Sequence, residues 1–258
     1  MKAGEHFPIK ILTFDQLEST NSEAERLARA GESAGTVVVA AGQTAGKGRY
    51  QRRWNSPPGL GLWFSVILRP EIEIKYLNLI NLTTALAVCD FCNRIIQGSS
   101  AAQKIPIKLK WPNDIMFDQR KLCGILLESG IKNSTLEYVV VGIGLNVNHR
   151  PDDFPEELQE KAVSLRELTG GEWNLKNLLD DLLAFYFNEI EQALQSGFEG
   201  IIKRYEEQLL FMNQPVRIEL QDKTVSGIIR GVDQFGYLRL ESEGTEQLIT
   251  AGDVWGHN

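Results

Sequence analysis

Three short apolar runs constrain this chain more than anything else in it. They are TVVVA from Thr36 to Ala40, GLWFSVIL from Gly61 to Leu68 and YVVVGIGL from Tyr138 to Leu145. They do not alternate apolar with polar residues. The first and last therefore read as strands buried on both faces, and the middle one as a further strand. Such strands need helices as cover, and the chain supplies them. Thr20-x-x-Glu23 is a capping-box pattern that opens an amphipathic helix carrying Ala24, Leu27 and Ala28 and ending near Gly31. Tyr76–Ile96 has apolar residues at helical spacing and no proline, and predicts a long, largely buried helix. Leu175–Ala193 and Ile201–Leu210 predict two more.

Ile9–Leu17 and Ile107–Trp111 add strands, and Asp114–Phe117 with Leu122–Glu128 form a hairpin around Asp118-Gln119-Arg120. Hairpins mixed with crossovers predict an α+β fold, a mixed and mostly antiparallel sheet with helices. Near Phe211 the character changes. VRIEL, TVSGIIRGV, YLRLE and EQLIT follow in quick order, and short strands packed this closely, in fewer than 50 residues, predict a small barrel. The boundary falls at residue 212, giving units 1–211 and 212–258.

A net charge of −7 over 258 residues argues against general binding to nucleic acid or anionic membrane. The first 60 residues hold no helix-turn-helix pattern. No secretory signal and no span of about 18 apolar residues is evident, so the expected compartment is the cytoplasm. Cys89, Cys92 and Cys123 are an odd number in a large chain and read as buried small hydrophobes. The histidines are only His6, His149 and His257. With no zinc spacing and no G-x-S-x-G, neither covalent triad catalysis nor a protein-held metal is expected.

Within this acidic chain, AGQTAGKGRYQRRW from Ala41 to Trp54 has four cations and no acid. It is not a P-loop: Gly42 and Gly46 are one residue too close, and Gly48 follows Lys47 where a hydroxyl should stand. It is not a dinucleotide fingerprint either, because Gln51 occupies the third glycine position. The chemistry survives the failed labels. Glycines allow close backbone approach, and arginine forks suit phosphate and carboxylate oxygens. Four like charges repel, so the loop is expected to be mobile when empty and ordered by a polyanion; the plain alternative is a solvated surface loop. A second constellation is Lys110-Trp111-Pro112-Asn113-Asp114 with Lys121 on the next hairpin arm. The plain alternative there is an Asn-Asp turn with surface lysines. A third is Gly142-Ile143-Gly144-Leu145-Asn146, where strand glycines mark a bulge or the approach of another body.

Ser19-Thr20-Asn21, GKGRYQRRW, KWPNDI, KLCGILLE and VGIGLN, in this order, resemble the catalytic core of the biotin protein ligases. The tail from about Asn213 resembles that family's SH3-like C-terminal domain. The resemblance implies a class II synthetase-like catalytic core over 1–211 and the class without an N-terminal DNA-binding domain. It implies ATP and biotin as substrates, Mg²⁺ with the nucleotide, biotinyl-5′-AMP as intermediate, and transfer to a lysine of a biotin carboxyl carrier domain of acetyl-CoA carboxylase or a related carboxylase. Lipoate ligation, non-catalytic sensing of biotin or its adenylate, and plain nucleotide binding are the rivals. The family often pairs edge strands into homodimers.

By position, Ser19, Thr20, Asn21 and Gln43 match the residues that read the biotin ureido ring. Gly46, Lys47, Gly48, Arg49 and Arg52 match the loop folding over biotin and adenylate. Trp54 matches the wall beside adenine. Asn113 and Asp114 match the polar pair near the nucleotide and the incoming lysine. Gly124, Leu126 and Gly142 match the walls of the biotin slot, and Asn146 the nucleotide side. Lys121, which meets the biotin carboxylate and the α-phosphate, stands with Arg49, Asp114 and Lys110 as the catalytic set. Gly252 and Asp253 resemble a segment facing the nucleotide. In three places the chain departs from the family: Lys47 stands for an arginine, Gln51 for a glycine and Cys123 for an alanine.

Overall fold

The computed structural model describes residues 8–99 and 105–256; His6 and His257 lie outside these. Seven strands make the main sheet: β1 (Lys10–Leu17), β2 (Thr36–Gln43), β3 (Gly61–Leu68), β4 (Lys108–Lys110), β5 (Asp114–Phe117), β6 (Arg120–Lys132) and β7 (Thr135–Asn146). Their order is β1-β2-β3-β7-β6-β5-β4. Only β1 and β2 run parallel, connected through α1 (Thr20–Arg29). The other neighbours are antiparallel.

All eight residues of β3 are buried, as a run covered on both faces requires. Strand periodicity divides them between two cores. Phe64, Val66 and Leu68 face a core built with α2 (Leu77–Gln97) and, later in the chain, α5 (Leu175–Gln195). Ile67 faces α1, with Ala24, Ala28, Val38 and Val140. Ser65 belongs by the same alternation to the α1 side. The segment Ile74–Gln97, which includes α2, is by length and mean composition apolar enough to cross a membrane, although polar residues interrupt it throughout. Most of that stretch is buried inside the protein, because α2 is a middle-layer core helix.

The start of α1 departs from the predicted capping box. Ser19 is the N-cap, and no side chain caps the helix. Thr20 turns its hydroxyl toward β2, and Glu23 bonds Arg26 at 2.8 and 2.6 Å. The signal for a helix start is correct, but its polar side chains serve another purpose.

Residues 147–174, unassigned by periodicity, hold two short helices, α3 (Glu156–Gln159) and α4 (Leu165–Thr169). This segment returns to the sheet at Lys121, which bridges Ala162. His149 at its start is buried and stacks on Phe154 with ring centroids 4.4 Å apart. Burial pushes its pKa down to about 4, against the opposing pull of Asp153. Only the unfolded chain gains the proton between the ordinary His value and pH 4, so stability is full at neutral pH and falls through that window. The loss is on the order of 3 kcal/mol. Melting temperature measured from pH 7.5 to pH 4 should therefore fall less steeply in His149→Phe than in wild type; parallel curves would refute this.

The remaining strands, β8 (Pro215–Glu219), β9 (Thr224–Val232), β10 (Leu238–Ser242), β11 (Thr245–Ile249) and β12 (Asp253–Gly256), form a second, antiparallel sheet. Its order is β11-β10-β9-β8-β12. It docks through backbone groups. Gly236 O accepts from Trp111 Nε1 at 3.1 Å and Asn78 Nδ2 at 2.6 Å. Val232 N donates to Glu206 of α6 (Ile201–Gln208) at 2.9 Å. Gly231 there has φ +120°, and a Cβ would stand 2.0 Å from Glu206 Oε1. Only glycine satisfies both conditions.

Candidate active site

The ends of β2, β6 and β7, the start of α1, and three connecting segments enclose a cavity of about 280 Å³. One wall is a hydrogen-bond chain whose cavity-lining side chains, Ser19, Thr20, Asn21 and Gln43, are uncharged. The Thr20 N–H and hydroxyl donate to Gln43 Oε1 at 2.8 and 3.1 Å, and Gln43 Nε2 donates to Ser56 at 2.8 Å. Ser65 Oγ lies 2.8 Å from Thr20 Oγ1 and 2.6 Å from Asn21 Oδ1. Asn21 Nδ2 donates to Leu126 O at 3.2 Å and Glu128 Oε2 at 2.9 Å. Ser19, Thr20 and Asn21 are all buried. Fixed donors and acceptors in a buried wall suit a neutral polar ring.

The opposite requirement, space, is met by glycines. Gly124 faces Gly144 and Leu126 faces Gly142 across β6 and β7. A Cβ at 142 would stand 1.9 Å from Asn21 Oδ1, and one at 144 would stand 2.4 Å from Trp54 Nε1. At Gly124 it would meet the Trp54 ring at 3.0 Å and Lys121 Cε at 3.1 Å. The β6–β7 register shifts at Gly130/Ile131, not here, so these glycines serve close approach and not a bulge.

The basic loop is closed by Gly48 N to Arg52 O at 2.7 Å and Trp54 N to Gly46 O at 2.8 Å. Tyr50 and Gln51 have φ +52° and +60°. Gln51 thus occupies a left-handed position that suits the family's glycine better. The picture of four mutually repelling cations does not hold. Lys47 lies 3.6 Å from Glu128, Arg49 3.6 Å from Asp253, and Arg52 2.6 Å from Asp253. Arg49 also donates to Gly252 O at 3.1 Å, and Arg53 to Thr44 O at 2.6 Å. The fold brings carboxylates from β6 and β12 to a loop that contains none. Among the expected site residues, Gly252 does not line the cavity, and neither does Gly46. Gly46 stands behind it, where a Cβ would come within 2.5 Å of Trp54 O.

KWPND contributes the far end. Asp114 on β5 pairs with Lys121 on β6 at 2.6 Å, and Lys121 Nζ lies 5.0 Å from the Trp54 ring centroid. The Lys121 backbone is pinned by Lys161 O at 2.7 Å and Val163 N at 3.1 Å. Asn146 spends its amide protons on Lys121 O and Val163 O, so it braces this joint. Asn113 Nδ2 donates to Ile125 O at 2.9 Å, which leaves its buried Oδ1 without a protein partner. Lys110 Nζ stands 4.1 Å over the Trp255 ring. Burial lowers its pKa, Lys121 and Arg52 act in the same direction, and Asp114 and Asp253 oppose them. The arrangement sets cations around one end of a cavity whose other end is neutral and polar.

Sequence reasoning missed Ser65, and also Phe154, Leu158 and Ala162, which close the cavity from the 151–162 segment. Ser65 left a trace as the lone hydroxyl in GLWFSVIL. Phe154 and Leu158 are hidden in a run dominated by acids.

Residues 13–146 match the biotin/lipoate A/B protein ligase family, and residues 211–255 match the biotin protein ligase C-terminal domain. The bifunctional ligase/repressor BirA of Bacillus subtilis is 35% identical over 242 residues, 93% of this chain and 72% of the relative. This chain belongs to the biotin protein ligase family. A biotin–[acetyl-CoA-carboxylase] ligase of Paracoccus denitrificans is 31% identical, with 92% of this chain and 97% of that relative covered. The biotin protein ligase of Aquifex aeolicus, solved in complex with biotin and ATP, superposes with a TM-score of 0.79. It has 30% identity over 95% of this chain and 97% of that one. The family membership accounts for the α+β core, the second antiparallel sheet and the ligase character of the chain.

Proposed function

We propose that this chain is an ATP-dependent biotin–protein ligase working in two steps. The biotin carboxylate attacks the α-phosphate of ATP, giving biotinyl-5′-AMP and pyrophosphate. A lysine amine of a biotin carboxyl carrier domain then attacks the acyl carbonyl, forming an amide and releasing AMP. The observation that carries the reading is the joining, in one cavity, of the neutral wall Thr20–Asn21–Gln43 with Lys121, Asp114 and the basic loop. A carboxylate and a triphosphate repel each other, so the reaction needs alignment and cations more than a protein nucleophile.

In this reading Ser19, Thr20, Asn21 and Gln43 hold the ureido ring against the glycines of β6 and β7. Lys121 meets the two reacting oxygens. Arg49, Arg52 and Lys110 take phosphate charge, with Trp54 beside the base. Asn113 and Asp114 lie where the carrier amine enters. Residues 1–211 are the catalytic unit, and 212–258 supply Asp253 to its rim. Mg²⁺ supplies further neutralisation of phosphate charge. The described residues contain no group of three or more His, Cys, Asp or Glu side chains that could hold a metal ion. A nucleotide-borne Mg²⁺ asks for only one or two carboxylates, which Asp114 and Asp253 can provide.

The test adds ATP and Mg²⁺ with either biotin or lipoate, then a carrier domain. Pyrophosphate release and a mass gain on the carrier with biotin are expected. Labelling by lipoate alone, or binding without pyrophosphate, overturns the reading. One further expectation concerns Lys47, a point charge where the family has a planar fork. Lys47→Arg should slow release of biotinyl-AMP about fivefold, the size of one screened charge contact. Equal release rates in a filter-binding chase would count against it.

A further inference from the structure

We propose that Glu128 is a positioning residue that couples the ring-reading amide of Asn21 to the loop cation Lys47. The inference rests on the functional reading above and assigns to it a residue outside the cavity lining.

Glu128 extends a pattern already in use on β6. Residues two apart on a strand share a face. Gly124 and Leu126 present that face to the cavity, and Glu128 is the next position along it. Its carboxylate is divided between two partners. Oε2 accepts from Asn21 Nδ2 at 2.9 Å, and Oε1 lies 3.6 Å from Lys47 Nζ. Asn21 is itself held at three further points, by Leu126 O, by Ser65 Oγ and by its seat over Gly142. Of its hydrogen-bond partners only Glu128 is charged, so this bond is the charge-assisted one. Among the described residues, Glu128 is also the carboxylate partner of Lys47.

A purely structural role explains little. The β6–β7 ladder runs through this position on backbone bonds alone, from Cys123 to Lys132. The Glu128 side chain is 33% exposed and that of Lys47 is 40% exposed, so screening leaves their pairing little to contribute to stability. What the carboxylate does is hold two elements in one geometry: the amide that orients the ring and the cation that closes over it. Ordering either favours the other, and the coupling is reciprocal. Loss of the charge should weaken the grip on biotin and speed escape of the adenylate. It should leave the Lys121 end, where the bond is made, unchanged.

Two variants separate the contacts. Glu128→Gln keeps an acceptor for Asn21 and removes the charge facing Lys47; Glu128→Leu removes both. Steady-state pyrophosphate release and a chase of preformed biotinyl-AMP are measured for each, with melting curves. Glu128→Gln should raise KM for biotin and the adenylate release rate each about fivefold, with kcat within about twofold of wild type. Glu128→Leu should raise KM about thirtyfold or more. In a Lys47→Met background, Glu128→Gln should add nothing to adenylate release. Unchanged KM and release in Glu128→Gln, a fall in kcat alone, or an undiminished effect in the Lys47→Met background overturns the inference. The isosteric Gln variant decides alone if the Leu variant does not fold. Wild type inert toward biotin overturns the functional reading as well; active wild type with an indifferent Gln variant overturns this inference only.

Discussion

Lys121→Ala should abolish biotin-dependent pyrophosphate release, lowering it by about 10³-fold, while the protein melts within a few degrees of wild type. The expected loss is large because Lys121 is the cation that joins the two ends of the cavity. Its ammonium sits between Asp114 at 2.6 Å and the Trp54 ring, beside the opening left by Gly124. In the proposed reaction two anions meet there. Removing the lysine deletes the compensating charge and leaves Asp114 to add repulsion. The fold is indifferent because the Lys121 side chain is one-third exposed and its ion pair with Asp114 is solvent-screened. The backbone that anchors the position, through Lys161 O and Val163 N, does not change with the side chain. Lys121→Arg keeps the charge but offers a planar fork to a site crowded by Trp54, so partial recovery is expected. A stopped-flow or coupled pyrophosphate assay on both variants is sufficient. Wild-type turnover in Lys121→Ala would remove this residue from the mechanism.

Gly142→Ala should reduce biotin affinity by at least about 100-fold, the largest effect expected of any single added methyl here. The new Cβ would stand 1.9 Å from Asn21 Oδ1 and 2.8 Å from its Cγ. Asn21 has no free direction of retreat. It is buried at the start of α1 and bonded to Ser65, Leu126 O and Glu128. Either the amide breaks that network or β7 shifts, and both spoil the wall that would read the ring. Overpacking should also cost about 1–3 kcal/mol of stability. Gly144→Ala is the paired control two residues away. Its Cβ would press on Trp54 Nε1 at 2.4 Å, so its expected defect is in ATP binding, with biotin affinity less affected. Calorimetric titration of each variant with biotin and with ATP reads the two ends separately. Wild-type biotin affinity in Gly142→Ala, or the same defect in both variants, contradicts the proposed division of the cavity.

Much of the frame was legible in the residues. GLWFSVIL predicted a strand and YVVVGIGL a doubly covered one, and β3 and β7 sit at the middle of the sheet. The change of pattern near Phe211 announced the second sheet. The motif glycines 124, 142 and 144 fall where another group presses on the strand backbone. Other readings were local truths with the wrong use attached. Thr20-x-x-Glu23 does mark the start of α1, yet Thr20 bonds Gln43 and caps nothing. The basic loop is as cationic as it looks, yet three of its charges are matched by carboxylates elsewhere in the chain. The 151–162 segment offered no periodicity, because its one α-helix has four residues, too few to show one.

By itself the sequence determined the main strands and the longer helices, where backbone must be bare, and that the loop at Gly46–Trp54 is no P-loop. These follow from side-chain periodicity and backbone sterics, which act over a few residues. Only the tertiary structure decided that Ser65 meets Asn21, that Glu128 meets both Asn21 and Lys47, and that Asp253 meets Arg49 and Arg52. Those partners lie 44 to more than 200 residues apart in the chain. Their meeting is set by strand order, register and the docking of the second sheet, none of which leaves a local pattern.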